Sequence, residues 1–254
     1  MKFQTTAILT GLLAGSALAV SAVPAHAFNF ISGEDLGSCA NISYLDGIKS
    51  CTTTDGFTLT VTKDGLTAGT EDNLGGYLTT KTVNGITGVG VYGDPSPTHG
   101  SLHEIDYGEE ITATLAAARV IQSIDLAFLY QPGVFGDKVF EVAEIGIGNG
   151  QFGRLTVTGD TTAEWVFGGV TTVLTALSPS TEQGGGLYSI LNPFGDLLVD
   201  TITFNSVELK GTSYRYSDFS IAGIKAAGVP EPSLMVGLGA VGGLLLASRR
   251  RRSA

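Results

Sequence analysis

The chain is poor in the side chains that most often carry chemistry: 254 residues hold 2 Cys, 3 His and 1 Trp. Cys39 and Cys51 stand too far apart for a C-x-x-C redox pair, and no third ligand lies near them to complete a metal site. Basic residues are also few. There are 14 Lys and Arg against 24 Asp and Glu, and five of the bases, Lys2 and Arg249 to Arg252, sit in the end segments. Residues 28–231 therefore carry 9 basic and 24 acidic side chains, a net charge of about −15. Such a surface repels nucleic acid and anionic lipid, so no nucleic-acid partner is expected. The interior has no Pro-rich or Ser-rich linker, and about 200 residues read as one domain over 28–228.

Both ends read as addresses. Lys2 supplies a positive start, Ala7 to Val20 an apolar core, and Ala25-His26-Ala27 a small-residue cleavage site, so residues 1–27 read as a signal peptide removed by signal peptidase before Phe28. At the other end, 229–254, Val229-Pro230-Glu231-Pro232 precedes a charge-free stretch from Leu234 to Ser248 and then four arginines. As a helix that stretch reaches about 22 Å, against a hydrocarbon core of roughly 30 Å. The arginines would hold its carboxyl end on the cytoplasmic side and leave the domain outside. Together these parts resemble the PEP-CTERM sorting signal of Gram-negative bacteria, over about a tenth of the chain. The resemblance implies an exosortase that cuts near Pro230-Glu231-Pro232. It also implies a precursor held transiently in the inner membrane by its C-terminal helix, and a final location at the cell surface or outside the cell. In an oxidising compartment, two thiols alone in the chain are expected to pair as Cys39–Cys51.

Between the ends, period two dominates. Phe57-Thr58-Leu59-Thr60-Val61-Thr62 puts three apolar side chains on one face and three threonines on the other. Asp46-Gly47, Asp55-Gly56, Asp64-Gly65 and Asn149-Gly150 are turn dipeptides. Further strands are expected over Ile124–Tyr130, Lys138–Ala143, Arg154–Thr158, Ala163–Phe167, Leu197–Ser206, Val207–Leu209 and Asp218–Ile224. Ile111 to Ile121 contains Ala116-Ala117-Ala118, which invites a helix, but the alternation in Ile111–Leu115 favours a strand. Short strands, 36 glycines and no βα alternation predict an all-β chain, an antiparallel β-sandwich of jelly-roll kind.

Candidate chemistry is sparse. Gly146-x-Gly148-x-Gly150 leads into a strand and reads as a hairpin turn rather than a nucleotide loop. His99, His103, Glu104 and Asp106 form the densest cluster of titratable groups, read as a surface loop rather than a metal site. Ser101 beside a histidine lacks the strained elbow and oxyanion hole that acyl transfer needs. Glu109-Glu110 reads as part of a solvated acidic edge, because adjacent strand residues face opposite ways. Tyr214 and Tyr216 share a face and are candidate carbohydrate contacts, while Trp165 reads as core. No organic cofactor is expected. A structural Ca²⁺ would draw on Asp218 at the start of the last strand, with Glu34 and Asp35 brought by a neighbouring first strand, as in jelly-roll modules that bind carbohydrate. Two readings stand against each other: a noncatalytic surface or matrix protein associated with extracellular polysaccharide and biofilm, and an enzyme acting on that polysaccharide or a carbohydrate-binding module with structural calcium. The missing acid, base and nucleophile set favours the first.

Overall fold

Alternation of threonine with apolar residues recurs along the body of the chain and yields strands. The computed structural model describes residues 26–45, 47–63, 66–67, 76–92, 103–135, 138–181, 184–207 and 217–228. These residues belong to one unit, Pro24–Pro230. The strands are β1 (His26–Asn29), β2 (Ser50–Thr52), β3 (Phe57–Lys63), β4 (Leu66–Thr67), β5 (Tyr77–Val83), β6 (Ile86–Tyr92) and β7 (Glu109–Ala127). After them come β8 (Val142–Ile147), β9 (Phe152–Gly159), β10 (Thr162–Phe167), β11 (Val170–Thr175), β12 (Tyr188–Leu191), β13 (Leu198–Ser206) and β14 (Ser220–Ala226). A 3-10 turn at Gly37–Asn41 is the one helical element among the described residues. None of their helices is long and apolar enough to cross a membrane.

All named pairings are antiparallel, and the long strand β7 organises them. Its first half lies between β3 and β13, with Phe57 opposite Leu115 and Phe204 opposite Ile111. Its second half lies between β12 and β14, with Ile124 opposite both Ile190 and Ile224. From β13 the first array runs outward through β8, β9 and β10 to β11, and from β14 the second runs through β6 to β5. The handover occurs at Ala116-Ala117-Ala118, all exposed, where the register with β13 shifts between Val199 and Thr201. The alanines that invited a helix are thus the irregular middle of a strand whose first seven residues alternate strictly.

Phe57, Leu59 and Val61 are fully buried, as their alternation predicts, and face the same core as Ile111 and Ile124. Phe28 of β1 meets Phe57 edge to face at 5.3 Å, which joins the two arrays in one apolar cluster. Each such side chain contributes about 1.5–3 kcal/mol when fully buried. Trp165 is core, and its indole N–H donates to Pro193 O at 3.1 Å. Asn149-Gly150 turns β8 into β9 with Gly150 at φ 82°.

Some strand expectations need correction. Lys138–Phe140 is not strand: β8 begins at Val142, because Glu141 is bound to Tyr130 across the loop, N to O at 3.2 Å. The strand from Ile124 stops at Ala127, because Phe128 takes φ 65°. Gly47 does not take the positive φ of a turn dipeptide; it precedes Ile48, which bridges to Leu78. Asp64-Gly65 and Glu208-Leu209 lie outside the described residues. The expected signal-peptide cut falls inside β1, so a chain beginning at Phe28 keeps Phe28 opposite Ile224 and Asn29 opposite Gly223.

Candidate functional site

The polar centre of the molecule is the segment His103–Glu109, which joins β6 to β7. It is not a surface loop and not a solvated acidic edge: His103, Glu104, Asp106 and Glu109 are all buried. The cause is local. Gly90 in β6 leaves room for backbone, and a Cβ there would stand 2.3 Å from His103 O and 2.5 Å from Glu104 Cα. Into that space the segment fits, hydrogen-bonded to β6 on one side and to Phe219 on the other. Val91 N donates to Glu104 O at 3.2 Å, and Ile105 N donates to Phe219 O at 2.7 Å. Glu109 then closes the turn on itself, its carboxylate accepting from Asp106 N at 3.0 Å while its own N–H donates to Asp106 O at 2.9 Å.

Burying these carboxylates requires positive charge and donors. Lys81 of β5 supplies the charge, with Nζ 3.0 Å from Glu104 Oε2 and 5.2 Å above the Phe128 ring. Burial alone would lower the Lys81 ammonium, but Glu104, aided by Asp218 and Glu141, holds it above the usual lysine value. Glu141, also buried, accepts from Tyr130 N. Glu110, on the opposite face from Glu109, accepts from the Thr112 hydroxyl at 3.0 Å.

His103 occupies a slot of its own. Its Nδ1 lies 3.0 Å from Thr79 Oγ1, and that hydroxyl donates to Ser43 O at 3.0 Å. With the hydroxyl proton committed to Ser43, the imidazole is the donor at Nδ1, which leaves Nε2 as the acceptor. The ring packs on Tyr44 at 3.8 Å and an interplanar angle of 31°, and on Tyr92 at 5.4 Å and 36°. Burial, and after it the Lys81 charge, hold His103 below the usual imidazole value, so it is neutral at pH 7. Tyr188, fully buried in β12, is pushed up to about 12 by burial, with Asp160 and Glu141 adding to the effect.

Chemically, this arrangement spends its charge on the fold. Glu104 neutralises Lys81, Glu109 caps its own turn, and His103 is fixed by a threonine that donates elsewhere. His99 and Ser101 lie outside the described residues, as do Tyr214, Tyr216 and the sorting motif Val229, Pro230, Glu231 and Pro232.

The expected calcium ligands do not gather. Asp218 is half-buried and acts on Lys81, whereas Glu34 and Asp35 are exposed in the turn after β1. Glu34 N donates to Asn29 O at 3.1 Å, and Asp35 O accepts from Thr54 N at 2.8 Å. Among the described residues no three His, Cys, Asp or Glu side chains come together as a metal site.

Cys39 and Cys51 form a disulfide with Cα atoms 4.9 Å apart, joining the 3-10 turn to β2. Sequence reasoning missed Lys81, Thr79, Tyr44, Tyr92 and Glu141. Only Lys81 left a trace: a lone cation among threonines and apolar residues, in a domain with far more acids than bases, calls for a carboxylate partner. The chain matches no protein-family model, and no curated protein or solved structure proves similar to it.

Proposed function

We propose that this chain is an exported, noncatalytic protein of the cell surface or extracellular matrix, cut at its carboxyl end by an exosortase and associated with extracellular polysaccharide. One observation carries this reading: Pro230-Glu231-Pro232, the charge-free Leu234–Ser248 and Arg249–Arg252 stand in that order at one end, with a signal-peptide pattern at the other. The Cys39–Cys51 bond supports an oxidising destination. The buried polar cluster supports a noncatalytic role, since Lys81 is paired with Glu104, Glu109 closes its own turn and His103 faces a threonine whose proton is already given away. In this reading the two arrays that share β7 stack as a sandwich of jelly-roll kind, and the acidic surface keeps neighbouring molecules apart.

A second reading, a carbohydrate-binding module, draws on one feature. Tyr44 and Tyr92 are partly exposed and both pack on His103, and a sugar ring stacks on such faces.

Mass spectrometry of the protein recovered from cells tests the first reading. The mature form is expected to begin at Phe28 and to lack Arg249–Arg252, and deletion of Pro230–Pro232 is expected to leave the protein in the membrane fraction. An intact carboxyl terminus on surface or released material would overturn it. A glycan array comparing the wild type with Tyr44→Ala tests the second reading.

A further inference from the structure

The first array of strands ends on β11, whose sequence Val170-Thr-Thr-Val-Leu-Thr175 has no charge, no proline and no glycine. Among the described residues it pairs only with β10. Five of its six residues are exposed, Val170 at 67% and Val173 at 70%. Natural edge strands are normally guarded by lysine, proline, a bulge or a cover, because a bare row of N–H and C=O groups templates another strand. The far end of the second array is guarded in this way: β5 carries Lys81 and is bridged at Leu78 by Ile48.

The register of the hairpin tells which groups of β11 are bare. Gly168 and Gly169, at φ 58° and 80°, make a two-residue turn, so Phe167 and Val170 form the first hydrogen-bonded pair. Thr172 and Leu174 follow with the same inward parity, and Ala176 keeps it, donating to Thr161 O at 2.9 Å. Thr171, Val173 and Thr175 therefore point their N–H and C=O outward. Beyond them Leu177 N donates to Leu187 O at 2.8 Å, which closes the bare row after three residues.

That row is self-complementary. We propose that β11 pairs with β11 of a second copy, antiparallel about a two-fold axis at Val173, so that Val173 meets its own equivalent and Thr171 meets Thr175 in both directions. Three hydrogen-bonded residue pairs form, and each strand's outward groups are satisfied by the same groups of the other. Charge selects this edge. With about −15 on residues 28–231, two copies can approach only where the local surface is neutral. The nearest acid in register, Glu164 opposite Val173, would stand three strand spacings from its equivalent, about 14 Å, beyond a Debye length of about 8 Å.

Cross-linking and mass together test this. In a hydrogen-bonded pair the Cα atoms lie about 5.5 Å apart, within disulfide reach. The native cysteines are already joined, so Val173→Cys adds a lone thiol. The full chain carrying Val173→Cys is expected to give a cross-linked dimer in cells under mild oxidation. Leu191→Cys, equally exposed in β12 at 74%, is expected to stay monomeric. Sedimentation of the wild-type protein recovered from its own cells should show a mass rising toward twice the monomer from micromolar to millimolar concentration. Val173→Lys, which sets two ammonium groups against each other at the axis, should remain a monomer with an unchanged melting temperature. A wild-type mass that stays monomeric, equal cross-linking at 173 and 191, or a Val173→Lys protein that still dimerises would each overturn the proposal.

Discussion

Removing the Cys39–Cys51 bond by the double substitution Cys39→Ala and Cys51→Ala isolates one term of the stability. The two half-cystines are 12 residues apart, and in the chain-entropy model a loop of about 13 residues restricts the unfolded chain by roughly 3 kcal/mol. The folded loop is expected to keep its shape without the bond. Thr52 N donates to Ser38 Oγ at 2.8 Å, Ser38 Oγ donates to Thr52 O at 3.1 Å, and β2 remains paired with β3. The loss thus falls on the unfolded state. Both cysteines are buried in the core cluster, so truncation to alanine adds a small packing cost. Urea unfolding should place the variant about 3–4 kcal/mol below the wild type, with a steeper denaturant slope because its unfolded chain exposes more surface. For a domain of this size that corresponds to a melting temperature lower by about 6–16 °C. Wild type unfolded with reductant should match the variant within about 1 kcal/mol, the packing term. A variant as stable as the wild type, or an unchanged slope together with the full loss, would refute the unfolded-state account.

Two further outcomes concern the buried polar centre. Lys81→Met leaves Glu104 buried without its counter-ion and should cost about 3–5 kcal/mol, much of it recovered in the Lys81→Met, Glu104→Gln double variant. Because the Lys81 value is raised, its contribution is complete below the unfolded lysine value of about 10.4 and is lost as pH rises through the folded value. The wild type should therefore lose more stability than the double variant in alkaline chemical-denaturation series, and parallel curves would contradict the ion pair. His103 is lowered instead, so the unfolded state binds its proton more readily and stability falls as pH drops through about 6.5. His103→Phe should flatten the decline between neutral and mildly acid pH, at the cost of about 1 kcal/mol for the bond to Thr79. An unchanged slope would remove His103 as its source.

Local pattern was enough for part of the strand content, though β5, β6, β11 and β12 went unread. The period of two in Phe57–Thr62, the strand over Ile111–Leu115 and the turns at Asp55-Gly56 and Asn149-Gly150 are short-range effects, written within a few residues of where they act. The disulfide was legible by elimination, since 2 Cys have one pairing to make.

Tertiary structure decided the rest. Whether His103, Glu104 and Asp106 are wet or buried depends on Gly90 admitting their backbone and on Phe219, more than 100 residues away, accepting from Ile105. No window of sequence contains that meeting. The acids near β7 read as a solvated edge because adjacent strand residues face opposite ways, and the partners that offset their burial, Lys81 from β5 for Glu104 and the Asp106 N–H for Glu109, come from the fold. Likewise, Val170–Thr175 shows no strict alternation and was not read as a strand; its place at the end of the array, with the backbone groups of Thr171, Val173 and Thr175 facing outward, follows from which strands pair. Hydrogen-bond partners in a sheet are chosen by the whole set of competing pairings, and that choice is not local.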